Sequence, residues 1–251
     1  MAKQPGAESG RRLLAILFCF SERSPVRSVS ELAEQTGLPS SSVYRYVSLL
    51  RDEGVLDAAG AASYRLTDRV LGLARACQAG QVPLIEVSRS HIEQLAQEVD
   101  ETVLIVRRGG NFVYCVDRVE SSHPVRLQFS VGQAMPLHLG SAARVLLAHL
   151  PRAERDRYLA GLPAEERRRQ AATLSDQALD AIVRDGWTES FEEVDEGIWG
   201  TAAVIVSDGK PVAAVGTAGP MYRLVEERRR QIVDLIRDRA DKISADLTGR
   251  Y

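Results

Sequence analysis

Apolar and polar positions change rhythm once along the chain. From Arg11 to Glu53 the apolar positions recur at helical spacing between turn residues. RRLLAILFCFSE places apolar residues on nearly every face, which predicts a helix buried against more than one neighbour. SVSELAEQTGL follows, with Ser30 as the expected N-cap, Glu31 and Glu34 in the first turn and Gly37 as the stop. Pro39 and Ser40 open the next helix, Ser41 to Glu53, which Gly54 closes. VLDAAGAASYRL is two short apolar runs around a small-residue tip, the pattern of a hairpin. Thr67 then caps DRVLGLARACQAG, a helix ending near Gly80 with Pro83 beyond it. Residues 1–9, polar and small, read as a tail.

Beyond Leu84 strands enter the pattern. LIEVSRSHIEQLAQEVD is amphipathic, with Ile85, Ile92, Leu95, Ala96 and Val99 on one side. TVLIVRRGGNFVYCVDRV is two β-rich runs around Gly109-Gly110-Asn111, and VRLQFS reads as a third strand. GQAMPLHLGSAARVLLAHL is a loop entering a helix, and residues 152–185 read as helices. TAAVIVSDGKPVAAVGTAG predicts another hairpin, and Leu224 to Leu247 a closing helix. Antiparallel hairpins with flanking helices make an α+β domain. The division expected is 1–66 as a winged helix-turn-helix, 67–83 as a linker helix and 84–251 as the α+β domain.

Composition sharpens this little: 251 residues, 45% hydrophobic and 26% charged, suit two ordinary cores. Net charge is −2, but its distribution is informative. Residues 1–70 hold nine Lys/Arg against eight Asp/Glu, and residues 83–251 hold 22 against 26, so any cationic surface belongs to the N-terminal part. Cys19, Cys77 and Cys115 lie far apart, which argues against a disulfide scaffold and fits a reducing cytoplasm. The apolar run Leu13 to Phe20 is too short to span a bilayer, and no small-residue cleavage site follows it.

At 100° per residue, Val43, Val47 and Leu50 form one stripe of the second helix with Tyr46 beside it. Ser41, Arg45 and Ser48 lie opposite, with Tyr44 at the flank. Serines at a helix start set short hydroxyls beside open N–H groups and the positive end of the dipole, where a phosphate is welcome. Arg45 adds a guanidinium suited to guanine or phosphate. N-capping on a solvated helix explains serines equally, but the following hairpin and the basic Arg11, Arg12, Arg65 and Arg69 favour a recognition helix.

ELAEQTGLPSSSVYRYVSLLRDEGVL, followed by YRLTDRVLGLA, resembles the DNA-binding domain of the IclR family of bacterial transcription regulators. By motif position the resemblance puts Ser41, Ser42 and Arg45 on DNA-contacting places, with Tyr44 beside them, Ser40 where many members carry a basic residue, and Arg65 in the wing. VGQAMPLHLGSAARVLLA, DGWTESFEEVDEGIWGTAAVIV and KPVAAVGTAGP also resemble the family, so the likeness runs from about residue 10 to 247. It implies a GAF-like effector-binding domain, a double-stranded DNA operator, a small-molecule effector and a homodimer or dimer of dimers. Repression of a neighbouring catabolic operon is the commoner family mode.

The Gly140-Ser141 step puts unpaired N–H groups at the start of an apolar helix, a cradle for a carboxylate. Carried over by motif position, the pocket candidates are Leu127, Met135, Ser141, Ala142 and Ser190. Ile198, Gly200, Gly216 and Ala218 complete them. Gly200 stands where many members carry cysteine, Ser190 where several carry aspartate, and Gly216 and Ala218 where serines are frequent. The pocket therefore looks roomier and less polar, suited to a bulkier, aromatic acid or acid derivative, although sheet packing explains Gly216 and Ala218 as well. Trp199 reads as a pocket wall or a plug at the domain edge, with the wall preferred. EERRR and the arginines of the last helix read as solvated, salt-bridged surface.

No GxSxG elbow surrounds Ser141, and His138 has no partners in catalytic order, so no enzyme is expected. His91, His123, His138 and His149 show no ligand spacing, so neither metal nor other cofactor is expected. A reading from another class remains: a small-molecule binder or enzyme whose helix-turn-helix serves only dimerisation.

Overall fold

A computed structural model of the chain describes residues 7–79 and 83–248. They belong to two compact units that divide between residues 81 and 82. The six leading residues of the expected tail and the expected linker end at Gly80 lie outside the described residues.

The first unit runs α1 (Ala7–Leu17), β1 (Val26–Ser28), α2 (Val29–Thr36), α3 (Ser40–Asp52), β2 (Leu56–Gly60), β3 (Ser63–Leu66) and α4 (Arg69–Ala79). Its three strands pair antiparallel in the order β1-β3-β2. Ile16, Phe20, Leu32, Val43, Val47 and Leu50 join the helices in one core. Three expectations are corrected. α1 starts at Ala7, inside the expected tail. It buries only Ile16 fully, while Leu14 and the following Phe18 are 47% and 76% exposed. The N-cap of α2 is Ser28, not Ser30, because Glu31 completes a capping box: its N–H donates to the Ser28 hydroxyl at 3.3 Å, and its carboxylate accepts from the Ser28 N–H at 2.7 Å.

The second unit carries one antiparallel sheet flanked by helices. Its strands are β4 (Thr102–Gly109), β5 (Phe112–Val119), β6 (Ala134–Pro136), β7 (Trp187–Phe191), β8 (Ile198–Ser207) and β9 (Lys210–Pro220). They lie in the order β6-β5-β4-β9-β8-β7. Period-two alternation divides the longer strands β4, β5, β8 and β9 between two cores. Val103, Ile105, Trp199, Ala203 and Ile205 pack with α5 (Leu84–Val99) and α10 (Glu226–Leu247). Leu104, Val106, Ala202 and Ala214 pack with α6 (Ser141–Ala148) and α9 (Asp176–Asp185). Two short helices, α7 (Arg152–Ala160) and α8 (Ala164–Arg169), lie between those in the chain.

VRLQFS is not a strand. The free edge of β5 is taken further on, by Gly132 N–H to Cys115 O at 2.7 Å and by the pairing of β6 with Phe112–Tyr114. Residues 125–130 form no regular structure, and the Thr102 hydroxyl donates to Leu127 O at 3.1 Å. The inward face of α5 is Leu84, Ser88, Ile92, Leu95 and Val99, and Ile85 is 38% exposed. Arg239 is not surface: it is buried and donates to Gln94 and Glu98 of α5.

Candidate functional site

α3 is a helix held by one face and open on the other. Gly37 ends α2 in the left-handed region at φ 67°, which glycine enters freely. The chain turns through Leu38 and Pro39 into α3, which begins at Ser40, one residue earlier than expected. Val43, Tyr46, Val47 and Leu50 are buried. Ser40, Ser41, Tyr44, Arg45 and Ser48 are exposed, and Ser42 is half-buried. No side chain caps the start: the Ser42 and Val43 N–H groups turn back to Pro39 O. Among the described residues, the N–H groups of Ser40 and Ser41 have no protein acceptor. Arg45 rests its guanidinium 5.1 Å from the Tyr46 ring centroid, so an exposed arginine is held along the helix rather than left to sweep solvent. Arg65 sits on β3 opposite Asp57, 3.8 Å from its carboxylate, and both side chains are mostly exposed. Such a pair holds an arginine only weakly.

The nine residues expected around an effector border one cavity of about 170 Å³ in the second unit. Leu127 reaches it from the loop before β6, and Met135 from β6 itself. Ser141 and Ala142 come from the start of α6, and Ser190 from β7. Ile198 and Gly200 lie on β8, and Gly216 and Ala218 on β9. Sequence reasoning missed Leu104, Phe129, Leu139 and Val194, which extend the apolar lining, and the carboxylates Glu193 and Asp195. Strand register would have supplied Leu104, the partner of Gly216. Spacing gives no signal for Glu193, which lies on the β7–β8 loop. The described lining contains those two carboxylates and no Lys, Arg or His.

The start of α6 is not the empty cradle that the Gly140-Ser141 step suggested. Gly140 lies at φ 80°, and its N–H donates to Glu193 Oε2 at 3.1 Å. The other Glu193 oxygen pairs with the Arg144 guanidinium, which also donates to Glu189 O and, at 3.3 Å, to the Thr188 hydroxyl. Arg144 is 3% exposed and Glu193 9%, so this ion pair is shut away from water. The N–H groups of Ser141, Ala142 and Ala143 have no protein acceptor among the described residues. The Ser141 hydroxyl has no partner there either, although Ser141 is only 6% exposed.

The two glycines behave differently. A Cβ on Gly200 would sit 3.1 Å from Ser190 Oγ and 3.3 Å from Ser141 Oγ, so its absence leaves room where two hydroxyls converge. A Cβ on Gly216 would lie 2.9 Å from Thr201 O, so that glycine serves strand packing and adds no usable room. Trp199 is no wall of the cavity. It is fully buried on the other face of the sheet, with its indole N–H on Glu189 Oε1 at 2.8 Å.

Other chemistry-bearing side chains are engaged in packing. His138 Nδ1 lies 2.7 Å from the Tyr158 hydroxyl and its Nε2 3.4 Å from Glu166, which turns one member of the EERRR run inward. Burial pushes the Cys115 thiol up to about 11, which keeps it protonated and unreactive at neutral pH. Among the described residues, no three His, Cys, Asp or Glu side chains converge as a metal site would need.

A helix-turn-helix with an exposed hydroxyl and guanidinium face, joined in one chain to a sheet domain with an apolar cavity, defines a two-domain transcription regulator. The family model of the bacterial transcriptional regulator IclR C-terminal domain matches residues 77–245, and that of the IclR helix-turn-helix domain matches residues 11–59. The chain belongs to the IclR family of transcription regulators. It is 33% identical over 239 residues to the HTH-type transcriptional regulator KipR of Bacillus subtilis, with 92% of this chain and 93% of that one covered. Among solved structures it resembles a transcriptional regulator of Rhodococcus, RHA06195, at 29% identity and TM-score 0.70, covering 96% and 98% of the two chains. An IclR homologue of Microbacterium hydrocarbonoxydans, solved in complex with 4-hydroxybenzoate, shares the fold at 24% identity and TM-score 0.72, covering 95% and 98%.

Proposed function

We propose that this protein is a ligand-responsive repressor that binds operator DNA through α3 and a small organic acid, or a derivative of one, in the cavity of its second unit. The observation that carries the reading is the division of α3: four apolar side chains hold it down, while Ser40, Ser41, Tyr44 and Arg45 are offered outward at an uncapped helix start. Open N–H groups, the helix dipole and short hydroxyls suit a phosphate, and Arg45 suits a guanine edge. Ser42 and Arg65 are assigned supporting contacts, the latter from the wing. A two-fold dimer would place two such faces on half-sites about one helical turn apart or a multiple of it.

The cavity sets the effector's size. An engineered apolar cavity of about 150 Å³ in another protein holds benzene, so about 170 Å³ here suits one ring with a short substituent. The apolar lining agrees with an aromatic body. The complex of 4-hydroxybenzoate belongs to a neighbour whose likeness extends to the fold, so the size and lining of this cavity carry the assignment. Residues 67–83 are assigned the role of linker, through which occupancy shifts the DNA-binding geometry. That requires the effector to bind the two states with different affinity. Control of a neighbouring catabolic operon follows from the family resemblance.

The test is retardation of the DNA upstream of the protein's own gene, against a scrambled sequence of equal length. Aromatic and aliphatic acids and their amides are then added to wild type and to Ser141→Trp. Specific retardation, altered by at least one ring-bearing compound in wild type and by none in Ser141→Trp, is expected. Equal binding to both DNAs would defeat the DNA assignment and favour a helix-turn-helix used only for dimerisation. An unchanged response in Ser141→Trp would defeat the cavity assignment.

A further inference from the structure

We infer that Tyr46 is a positioning residue for Arg45: its buried ring is a fixed shelf that sets the guanidinium in place before DNA arrives, and the base preference of α3 depends on it. This rests on the reading of α3 as the recognition helix. Successive residues of a helix point about 100° apart and do not face one another. Arg45 nevertheless folds back, and its guanidinium carbon lies 5.1 Å from the ring centroid of the residue that follows it. The negative face of an aromatic ring attracts a guanidinium, and the planar fork stacks on it.

The shelf is held from two sides. Tyr46 is 4% exposed and belongs to the core that Ile16, Leu32, Val43, Val47 and Leu50 form. Its hydroxyl lies 3.1 Å from Ser9 Oγ of α1, which ties the outer end of the ring to a second helix. Val43, Val47 and Leu50 anchor α3 by apolar contact alone. Packing therefore accounts for a large apolar side chain at position 46, but not for an aromatic one with Arg45 on its face. A long arginine in solvent loses rotamer freedom when it pairs with a base edge, and a bidentate fork must also arrive in the plane of the base. Ordering the side chain in the free protein removes part of that cost beforehand. The gain appears where Arg45 meets its base, and binding through phosphates alone is nearly untouched.

Fluorescence anisotropy on the upstream DNA and on its scrambled counterpart tests this in the full-length chain. Tyr46→Leu removes the ring and is expected to bind the upstream DNA about threefold to fivefold more weakly, the worth of an exposed cation–π contact. Its binding to scrambled DNA should stay within about twofold of wild type. Tyr46→Phe keeps the ring and is expected to retain wild-type affinity. In an Arg45→Ala background Tyr46→Leu should change binding by less than about twofold, because no guanidinium remains to be positioned. Tyr46→Met, which fills more of the ring's space, is measured beside Tyr46→Leu, and the same loss is expected. Nitrogen relaxation of the Arg45 side chain in the free wild-type chain needs no variant at position 46, and Arg45 should be more ordered than the other exposed arginines. Wild-type affinity in both Tyr46→Leu and Tyr46→Met overturns the inference, and so does an equal loss with and without Arg45 or on both DNAs. Tyr46→Phe as weak as Tyr46→Leu, or an Arg45 as mobile as the other arginines, overturns it too. Arg45→Ala that binds the upstream DNA like wild type overturns instead the reading of α3 on which the inference stands.

Discussion

Two helices of this molecule carry an arginine near their start, Arg45 as the sixth residue of α3 and Arg144 as the fourth of α6, and they use it oppositely. α3 opens at an uncapped serine start with Ser41 and Arg45 exposed. α6 opens at Gly140 and Ser141, and its Arg144 is buried. Both starts present N–H groups to an anion. At α6 the chain has brought an anion of its own, Glu193, from 49 residues away from Arg144. At α3 no side chain caps the start. Solvent access, not residue type, separates a helix whose arginine is left open to a partner from one whose arginine has found it. The exposed start is cheap to alter for stability and expensive for function, whereas the buried start, which borders the cavity, is expensive for both.

The sharpest way to break this comparison is to remove the arginine from each. Arg144→Ala leaves Glu193 buried without its counter-charge, and unfolding of the second unit should lose about 3–5 kcal/mol in denaturant titrations. Arg45→Ala should change stability by less than about 0.5 kcal/mol, as exposed substitutions do. Next in size is the pair of glycines. Gly216→Ala drives a methyl against Thr201 O and should cost about 1–3 kcal/mol whether or not ligand is present. Gly200→Ala has the Ser190 and Ser141 hydroxyls and the Ala218 methyl as its nearest neighbours, so its main effect should be lost thermal protection by cavity ligands.

The smallest contrast lies between serines. Ser28→Ala removes the cap of α2 and should cost about 1 kcal/mol, whereas Ser41→Ala caps nothing and should leave the melt unchanged while weakening DNA binding. The Ser28 N–H, and then its hydroxyl, hold the Glu31 carboxyl below its usual range. A lowered folded value means that this contribution is full above the ordinary carboxylate range and is lost as pH falls through the lowered one. Acid melts should therefore show wild type losing an advantage over Glu31→Gln in that window.

Much of this was legible in the sequence where one periodicity governs. The buried stripe of α3 and its outward serines and Arg45 follow from 100° steps, and Gly37 announces the turn before them. The nine cavity residues came from motif resemblance, and the fold gathers them because α6 and strands β6 to β9 meet there. Glu193 was illegible because a loop residue has no period, and its partners lie far off in the chain. Trp199 was misread because β8 begins at Ile198, so alternation from that point sends Trp199 to the α10 side and Ile198 and Gly200 to the cavity. Ser30 was read as the cap of α2 because it directly precedes Glu31, and it is the reciprocal Ser28–Glu31 bonds that set the helix start two residues earlier.

The most direct measurement is a paired reading on Arg45→Ala: DNA affinity by fluorescence anisotropy on the upstream sequence, and melting temperature on the same sample. The expected result is a loss of about 1–3 kcal/mol in DNA binding with the melt unchanged. A lowered melt with DNA binding intact would contradict it, since Arg45 would then be serving the Tyr46 ring on which it rests and not a partner outside the chain.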